Sequence, residues 1–370
     1  MLPVTLDGRS LGLAATYSSS RALLAPAMGR PRPNLTWLTQ RRREYEAVAT
    51  SQTAAARGAT FSDYYDSVVD NVGHVIQGKR DVIELVLLCL VSEGHLLLED
   101  VPGVGKTNLA KSLATSLECS FGRVQFTPDL LPSDVVGITV WNRGDGSFDF
   151  RPGPVFNNVV LADEINRASP KTQAALLEAM AENQVTVDGV TYPLSGPFMV
   201  IATQNPIEHE GTYPLPESQL DRFLMRVSVG YPSPDAELEI LDTHGDHDAY
   251  RDIGPVIGND EVMGLSAAAK GVHVAPSLKA YLVDLAQATR RSPHLALGIS
   301  PRATLALLRV TKARAASQGR AYVIPDDVKA LASPVLAHRL LVTPEAQLQG
   351  MSPADALDEV LRAVPVPGGH

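Results

Sequence analysis

The sequence predicts an α/β domain with a parallel sheet covered by helices, followed by an all-helical domain. Three short apolar runs are typical of buried strands: residues 95–99, 159–162 and 198–202. Strands that are apolar throughout and alternate with helices favour a parallel sheet with both faces covered. Such runs stop at the proline-rich segment 231–234, and four later segments open with proline or a capping residue, as helices do. These segments are residues 235–244, 276–291, 301–317 and 325–338.

Smaller elements of the α/β part follow from local patterns. Leucines recur every four residues after the first strand, at Leu109, Leu113 and Leu117. They form the core-facing stripe of a helix. Ser169 and Pro170 begin a second helix, because serine caps helices and proline suits the first turn. Asp-Gly turns between alternating apolar residues predict two hairpins, at residues 141–150 and 185–191.

Composition divides the 370 residues into four parts. The first part is poor in acidic residues, with seven arginines and only Asp7 between Leu2 and Arg43, and too polar to bury a core. Organellar transit peptides share this composition, and a start site assigned too far upstream would also explain it. We predict a disordered extension over residues 1–60, the α/β domain over 61–231, the helical domain over 235–350 and a C-terminal tail over 351–370.

Several classes of protein are disfavoured. The longest apolar run, at residues 82–91, is too short to span a bilayer, and no secretory signal is visible. The two cysteines, Cys89 and Cys119, lie in apolar stretches and are expected to be free thiols in a reducing cytoplasm. A formal net charge of −9 works against a nucleic-acid partner.

A glycine-rich loop connects the first strand to its helix. It comprises Asp100, Val101, Pro102, Gly103, Val104, Gly105, Lys106, Thr107 and Asn108. Between a strand and a helix, this pattern predicts a Walker A loop that binds ATP, because small residues let the backbone wrap phosphates at a helix N-terminus. Lys106 should contact the β- and γ-phosphates, and Thr107 should bind Mg²⁺. The strict motif has glycine where this chain has Asp100.

Polar residues at the ends of two later strands complete a hydrolysis site. Asp163 and Glu164 end the run 159–162, as in a Walker B motif, where the first carboxylate binds Mg²⁺ and the second activates water. Asn205 follows the run 198–202 and could hydrogen-bond the γ-phosphate or the water. Phosphoryl transfer also needs positive charge, for which Arg222 and Arg302 are candidates.

Taken together, these motifs resemble the MoxR family of AAA+ ATPases, over residues from about 70 to 350. The resemblance also rests on the segments 125–132, 151–154, 161–167, 174–178, 202–208 and 215–217. It implies that Asn205 is the sensor 1 residue, Arg222 an arginine finger that acts on a neighbouring subunit and Arg302 the sensor 2 arginine. It also implies that Ile76 and Gly78 lie against the adenine, and that Asp100 is an accepted variant. The helical domain would then be a lid that nucleotide moves through Arg302.

The resemblance further implies a ring, expected to be a hexamer, that uses ATP and Mg²⁺ to remodel partner proteins, often ones with von Willebrand factor A domains. The two hairpins would be a helix-2 insert and a pre-sensor-1 hairpin. We expect aromatic residues of the first hairpin to touch the client protein: Trp141, Phe148 and Phe150.

Three other functions stay open: a magnesium-chelatase-like motor subunit, a nucleic-acid translocase and an inactive nucleotide-binding scaffold. The acidic charge disfavours the translocase, and the intact Lys106, Asp163, Glu164 and Arg222 disfavour the scaffold. The histidine and aspartate cluster at residues 244–248 matches no metal-site spacing and is interpreted as a solvated loop.

Overall fold

The structure is a computed structural model that describes residues 60–144, 146–205, 212–238 and 249–367. Most of the predicted N-terminal extension and the whole cluster at 244–248 lie outside the described residues. So does the second half of the helix predicted at 235–244, whose described part is helical from residue 234 to 238.

Two helices precede the sheet: α1 (Phe61–Gly73) and α2 (Arg80–Val91). Thr60 caps α1 and exchanges hydrogen bonds with Asp63, so the first turn has partners for its free backbone groups. Helix α2 is apolar almost throughout and is buried from Val86 to Val91. It is the longest apolar run of the sequence. No helix in the described ranges is long and apolar enough to cross a membrane.

The central sheet has five parallel strands in the order β2-β5-β8-β1-β9. Their bounds are β1 (Leu96–Glu99), β2 (Phe121–Gln125), β5 (Val159–Asp163), β8 (Met199–Gln204) and β9 (Met225–Val227). The three strands predicted from apolar runs, β1, β5 and β8, are confirmed as the centre of the sheet. Sequence reasoning missed both edge strands, because β2 alternates between buried and exposed residues and β9 has only three residues.

Helices cover both faces of the sheet. Leu96 and Leu98 face the side covered by α1, α2 and α3 (Lys106–Ser116), whereas Leu97 faces the side covered by α5 (Pro170–Glu182). The predicted capping of α5 is confirmed, since the Ser169 side chain accepts from the Thr172 backbone N–H. The fully apolar strands are therefore explained by two separate cores, one on each face.

Both predicted hairpins are present, and they lie outside the five-stranded sheet. The first, β3 (Gly137–Asn142) and β4 (Ser147–Pro152), follows a short helix, α4 (Pro132–Val136). The second consists of β6 (Gln184–Val187) and β7 (Val190–Pro193). Phe150 of the first hairpin stacks on Tyr192 of the second, with ring centroids 4.1 Å apart, and is 9% exposed. The expectation that Phe150 touches a client is therefore wrong: its ring joins the two hairpins.

The described C-terminal part is mainly helical and contains a short ribbon of β10 (Leu295–Leu297) and β11 (Leu341–Val342). Its helices are α7 (Asn259–Gly271), α8 (Pro276–Arg291), α9 (Pro301–Ser317), α10 (Pro325–Leu336), α11 (Pro344–Leu348) and α12 (Pro353–Ala363), and α6 (Glu217–Leu220) precedes β9. Helices α8 and α9 have the predicted bounds, whereas α7 was missed. Helix α12 buries Ala356, Leu357 and Val360 against this domain, which therefore extends beyond residue 350.

Candidate functional site

The glycine-rich loop joins β1 to α3, as predicted, and its glycines are required by backbone angles. Gly103 and Gly105 have φ of +88° and +85°, a region that favours glycine. A Cβ added at Gly103 would meet nothing within 4 Å, so crowding is not the reason for glycine there. Gly105 is the N-cap of α3, and the helix N-terminus therefore opens directly onto the loop. An anion in this loop would meet the free N–H groups and the positive end of the helix dipole.

A cavity of about 220 Å³ lies against this loop. It is lined by Pro102, Gly103, Gly105, Lys106, Thr107, Asn108, Asp163, Glu164 and Asn205. The fold thus brings residues that are about 100 positions apart in the sequence to one end of the sheet. These groups suit a nucleotide with a divalent cation. The ammonium and the helix N-terminus would bind phosphates, whereas the hydroxyl and carboxylate oxygens are ligands that Mg²⁺ prefers.

Lys106 is held inside this arrangement. Its Nζ donates to the backbone carbonyl of Asp100 over 2.8 Å. Burial lowers the pKa of Lys106, and the nearby carboxylates of Asp100, Asp163 and Glu164 oppose that shift. The ammonium therefore lies among carboxylates, where the phosphates of a nucleotide would provide its other counter-charge.

Asp100 has a structural role that sequence reasoning missed. Its carboxylate Oδ2 accepts hydrogen bonds from three groups just after β9: the hydroxyl of Ser228 and the backbone N–H groups of Val229 and Gly230. Asp100 is 6% exposed. The carboxylate, which was predicted to bind nucleotide, is therefore committed to fixing the chain that leaves the sheet edge. The backbone carbonyl of Asp100 accepts from Lys106 of the loop.

The Walker B carboxylates are held by neighbouring strands. Asp163 accepts from the Thr203 hydroxyl on β8 over 2.7 Å and from the Arg123 guanidinium on β2 over 2.7 Å. Thr203 also accepts from the backbone N–H of Glu164 over 2.8 Å. One hydroxyl thus fixes the positions of both acidic residues relative to β8.

Glu164 lies in a left-handed backbone conformation, with φ of +56°. This conformation is uncommon for a residue with a side chain and often marks functional sites. Its carboxylate accepts from the amide of Gln125 over 3.0 Å and lies 3.1 Å from Nε of Arg167. The carboxylate that lines the cavity is thus oriented from two sides. Asn205, which lines the same cavity, is 9% exposed.

Ile76 lies beside the loop, and Gly78 follows it in the same turn. A Cβ added at Gly105 would come within 3.9 Å of the Ile76 Cδ1. Both residues also line an open cavity of about 920 Å³, with residues of α1 and α2. That Ile76 and Gly78 lie against the adenine, as the resemblance implies, stays a prediction.

Arg222 and Arg302 do not line the phosphate cavity in the described part of the chain. Arg222 instead donates to the carbonyl of Leu177 on α5 over 2.5 Å. Arg302, at the start of α9, pairs with Asp221 at 3.8 Å and is more than half exposed. Neither guanidinium is among the groups that line the described phosphate cavity. The role of Arg302 as the sensor 2 arginine stays a prediction.

Comparisons with known proteins agree with this geometry. Residues 95–225 match the family model "ATPase family associated with various cellular activities (AAA)", and residues 287–360 match the model "AAA lid domain". YeaC of Bacillus subtilis, an uncharacterised protein, is 49% identical over 299 residues, which cover 81% of this chain and 93% of YeaC. Chaperone MoxR1 of Mycobacterium tuberculosis is 42% identical over 316 residues, which cover 82% of each chain. The chain belongs to the MoxR family of AAA+ ATPases.

Solved structures support the same assignment. A candidate ATPase from Cytophaga hutchinsonii aligns with a TM-score of 0.78 at 36% identity, over 90% of this chain and 100% of its own. This MoxR-family protein is accordingly an ATPase with a nucleotide-binding α/β domain and a helical lid. The fold and family predicted from the sequence are confirmed.

Four residues that contact candidate site residues or their chain neighbours were not singled out from the sequence. They are Arg123, Gln125, Thr203 and Arg339. Two of them could have been found, because Gln125 and Thr203 occupy the ends of strands that are parallel neighbours of β5, where side chains converge on the site. Arg339 gave no such sign, since it lies more than 100 residues from the loop that it contacts.

Proposed function

We propose that this protein hydrolyses ATP at sites shared between neighbouring subunits of a ring, a hexamer, and uses the energy to remodel a partner protein. Within one chain, the loop and Lys106 would hold the phosphates, and Ile76 and Gly78 would border the adenine. Thr107 and Asp163 would hold Mg²⁺, which when bound neutralises charge on the β- and γ-phosphates. Both residues line the cavity.

We assign to Glu164 the activation of the water that attacks the γ-phosphate. Its carboxylate lines the cavity and is oriented by Gln125 and Arg167. It would accept the proton of the water as the new P–O bond forms and the bond to the ADP oxygen breaks, giving ADP and phosphate. Asn205, in the same lining, would hold the water or the γ-phosphate by hydrogen bonds.

The observation that carries the shared site is the position of the arginines. The described lining of the cavity contains one cation, Lys106, and the nearby Arg123 and Arg167 are paired with Asp163 and Glu164. Arg222 instead donates to the Leu177 carbonyl, and Arg302 pairs with Asp221. Phosphoryl transfer commonly requires an arginine at the γ-phosphate, supplied by the same chain or by another. We therefore assign both arginines to the nucleotide of the adjacent subunit, with Arg222 as the finger.

A mixing experiment tests this assignment. Lys106→Ala removes the phosphate contact but leaves Arg222, and Arg222→Ala does the reverse. Each variant alone is expected to lack ATPase activity. Mixed in equal amounts, they should regain activity, because roughly a quarter of the interfaces in a random ring would join an intact cavity to an intact finger. Phosphate release after mixing measures the effect, and inactive mixtures that still assemble would contradict the shared site.

The second half of the proposal, remodelling of a partner, is supported by the first hairpin. Trp141 and Phe148 pack edge to face, with ring centroids 4.8 Å apart, and are 50% and 47% exposed. Exposed aromatic pairs of this kind are enriched at protein interfaces. The similar protein MoxR1 is named a chaperone. We propose a protein client, with a von Willebrand factor A domain protein as the first candidate.

Trp141→Ala tests the role of this hairpin. The variant is expected to keep its basal ATPase activity, because Trp141 lies outside the cavity lining, and to lose client binding by about 1–3 kcal/mol if Trp141 is an anchor. ATPase assays and binding of a purified von Willebrand factor A domain partner measure the two effects. Tyr322→Ala, which removes an exposed aromatic ring of the lid, is the control. Equal losses of ATPase activity and client binding would rule out a client-specific role.

We also propose that the protein works in the cytoplasm. Cys89 and Cys119 are free, and burial raises the pKa of both thiols, the Cys119 value to about 12. Cys89 is buried and Cys119 is half-buried, and unpaired thiols of this kind are typical of proteins from reducing compartments.

A further inference from the structure

Arg339, a buried residue of the lid just after α10, contacts the residues on either side of Arg222. Its NH1 lies 2.9 Å from the Asp221 carboxylate, a contact between charges whose geometry is not that of a hydrogen bond. Its NH2 donates to the backbone carbonyl of Phe223 over 2.7 Å. One guanidinium from the lid thus holds the chain immediately before and immediately after the candidate finger.

The surroundings of the Arg339 guanidinium keep it charged and fixed in place. The Arg339 side chain is 5% exposed, and burial lowers its pKa to about 10, with the charge of Asp221 opposing the shift. Arg339 therefore stays charged at neutral pH. The pKa of the neighbouring His338 is lowered to about 3, mainly by burial and then by the charge of Arg339. The His338 imidazole is therefore neutral and can accept from Nε of Arg339 at 3.3 Å. A buried charge is tolerated only with partners of this kind.

The side chain and the backbone of the candidate finger, Arg222, are held by different contacts. The Arg222 guanidinium bonds the Leu177 carbonyl in this chain, and it would have to exchange that bond for a phosphate of the next subunit. Such a swing is productive only if the backbone from which it starts is fixed, because small misplacements of a catalytic group cost large factors in rate. The contacts of Arg339 with Asp221 and Phe223 supply that fixed base.

We propose that Arg339 is a positioning residue for the arginine finger, through which the lid sets the orientation of Arg222 toward the neighbouring subunit. The inference rests on the shared site proposed above. Since Arg302 also pairs with Asp221, the lid supplies two cations to the same loop. A shift of the lid in one subunit would therefore be transmitted to the nucleotide site of the next.

Mixing of full-length variants tests the proposal. Arg339→Met is expected to bind ATP as the unmodified protein does, because no residue of the cavity lining touches Arg339 in the described contacts. Its ATPase activity should fall by about 10- to 100-fold. Mixed with Lys106→Ala, which has an intact finger, it should regain activity; mixed with Arg222→Ala, it should not, because both chains then lack a working finger.

Two further variants complete the experiment. Arg339→Lys keeps the charge but cannot reach both Asp221 and Phe223 as the planar guanidinium does, so an intermediate activity is expected, again restored by Lys106→Ala. This milder change decides the question if Arg339→Met is insoluble. Arg291→Met is the control, since Arg291 is an exposed lid arginine bonded to Gln287 of its own helix.

Two outcomes would overturn the proposal. One is unchanged ATPase activity in both Arg339 variants. The other is a loss of activity that Lys106→Ala does not restore, although Lys106→Ala and Arg222→Ala restore each other; the defect would then lie in the variant's own fold or site. If that reference pair also fails, the shared site is wrong, and both proposals fall together.

Discussion

Replacing Glu164 by Gln is expected to slow ATP turnover by about 10²- to 10⁴-fold while leaving ATP binding in place. Glutamine has the same shape and keeps an oxygen that can accept from the Gln125 amide, so the side chain should stay where it is. It cannot accept a proton from water at neutral pH, however, and the attacking water would lose its base. The kcat for phosphate release and the dissociation constant for ATP, measured on the same preparation, separate the two effects.

A matched control is Glu182→Gln, which neutralises an exposed glutamate at the end of α5. Its kcat should be unchanged, which would show that the loss at position 164 does not come from the change in net charge. A kcat for Glu164→Gln within tenfold of the unmodified value would contradict the role of Glu164 as general base. Weakened ATP binding with unchanged kcat would instead assign Glu164 to substrate binding.

The elements of this fold that could be predicted are those whose type is evident from residues close together in the sequence. The strands β1, β5 and β8 are apolar on both faces, and α8 and α9 begin at proline, so each can be recognised without knowledge of its partners. The edge strand β2 was missed because half of it faces solvent. Its alternation is too short to be distinguished from a loop.

The same distinction applies to the site. Lys106, Asp163 and Glu164 follow strands directly, and the cavity brings them together as expected. The sequence could not show that Phe150 stacks on Tyr192 or that Arg302 pairs with Asp221, because these contacts depend on where distant elements pack. Local patterns thus predicted which residues line the cavity. Their long-range contacts could be seen only in the fold.

Replacement of Asp100 is the second change for which we expect a large effect. The expected effect is opposite to the one that the strict motif suggests. Asp100→Gly would restore the glycine of the strict Walker A pattern, yet we expect it to destabilise the fold. The carboxylate accepts from the backbone N–H groups of Val229 and Gly230 and from the Ser228 hydroxyl. A buried donor left without an acceptor costs about 1–3 kcal/mol, so a total loss of roughly 2–5 kcal/mol in the free energy of unfolding is expected.

Urea unfolding measures this loss, with Asp100→Asn as the matched comparison. Asparagine keeps one oxygen acceptor in the same place, so it should retain part of the stability that glycine loses entirely. Glycine keeps the backbone carbonyl that accepts from Lys106, so the substitution removes only the side-chain anchor and its effect is expected in the free energy of unfolding. A glycine variant as stable as the unmodified protein would show that water replaces the carboxylate at these N–H groups.

The physical reason lies in what glycine does at each position of the loop. Gly103 and Gly105 have positive φ, which a side chain would strain, whereas Asp100 is not among the residues with positive φ. Position 100 therefore does not need the freedom of glycine in this chain, and its side chain can be used to bind the segment after β9. The departure from the strict motif links the phosphate loop to the sheet edge that leads into the lid.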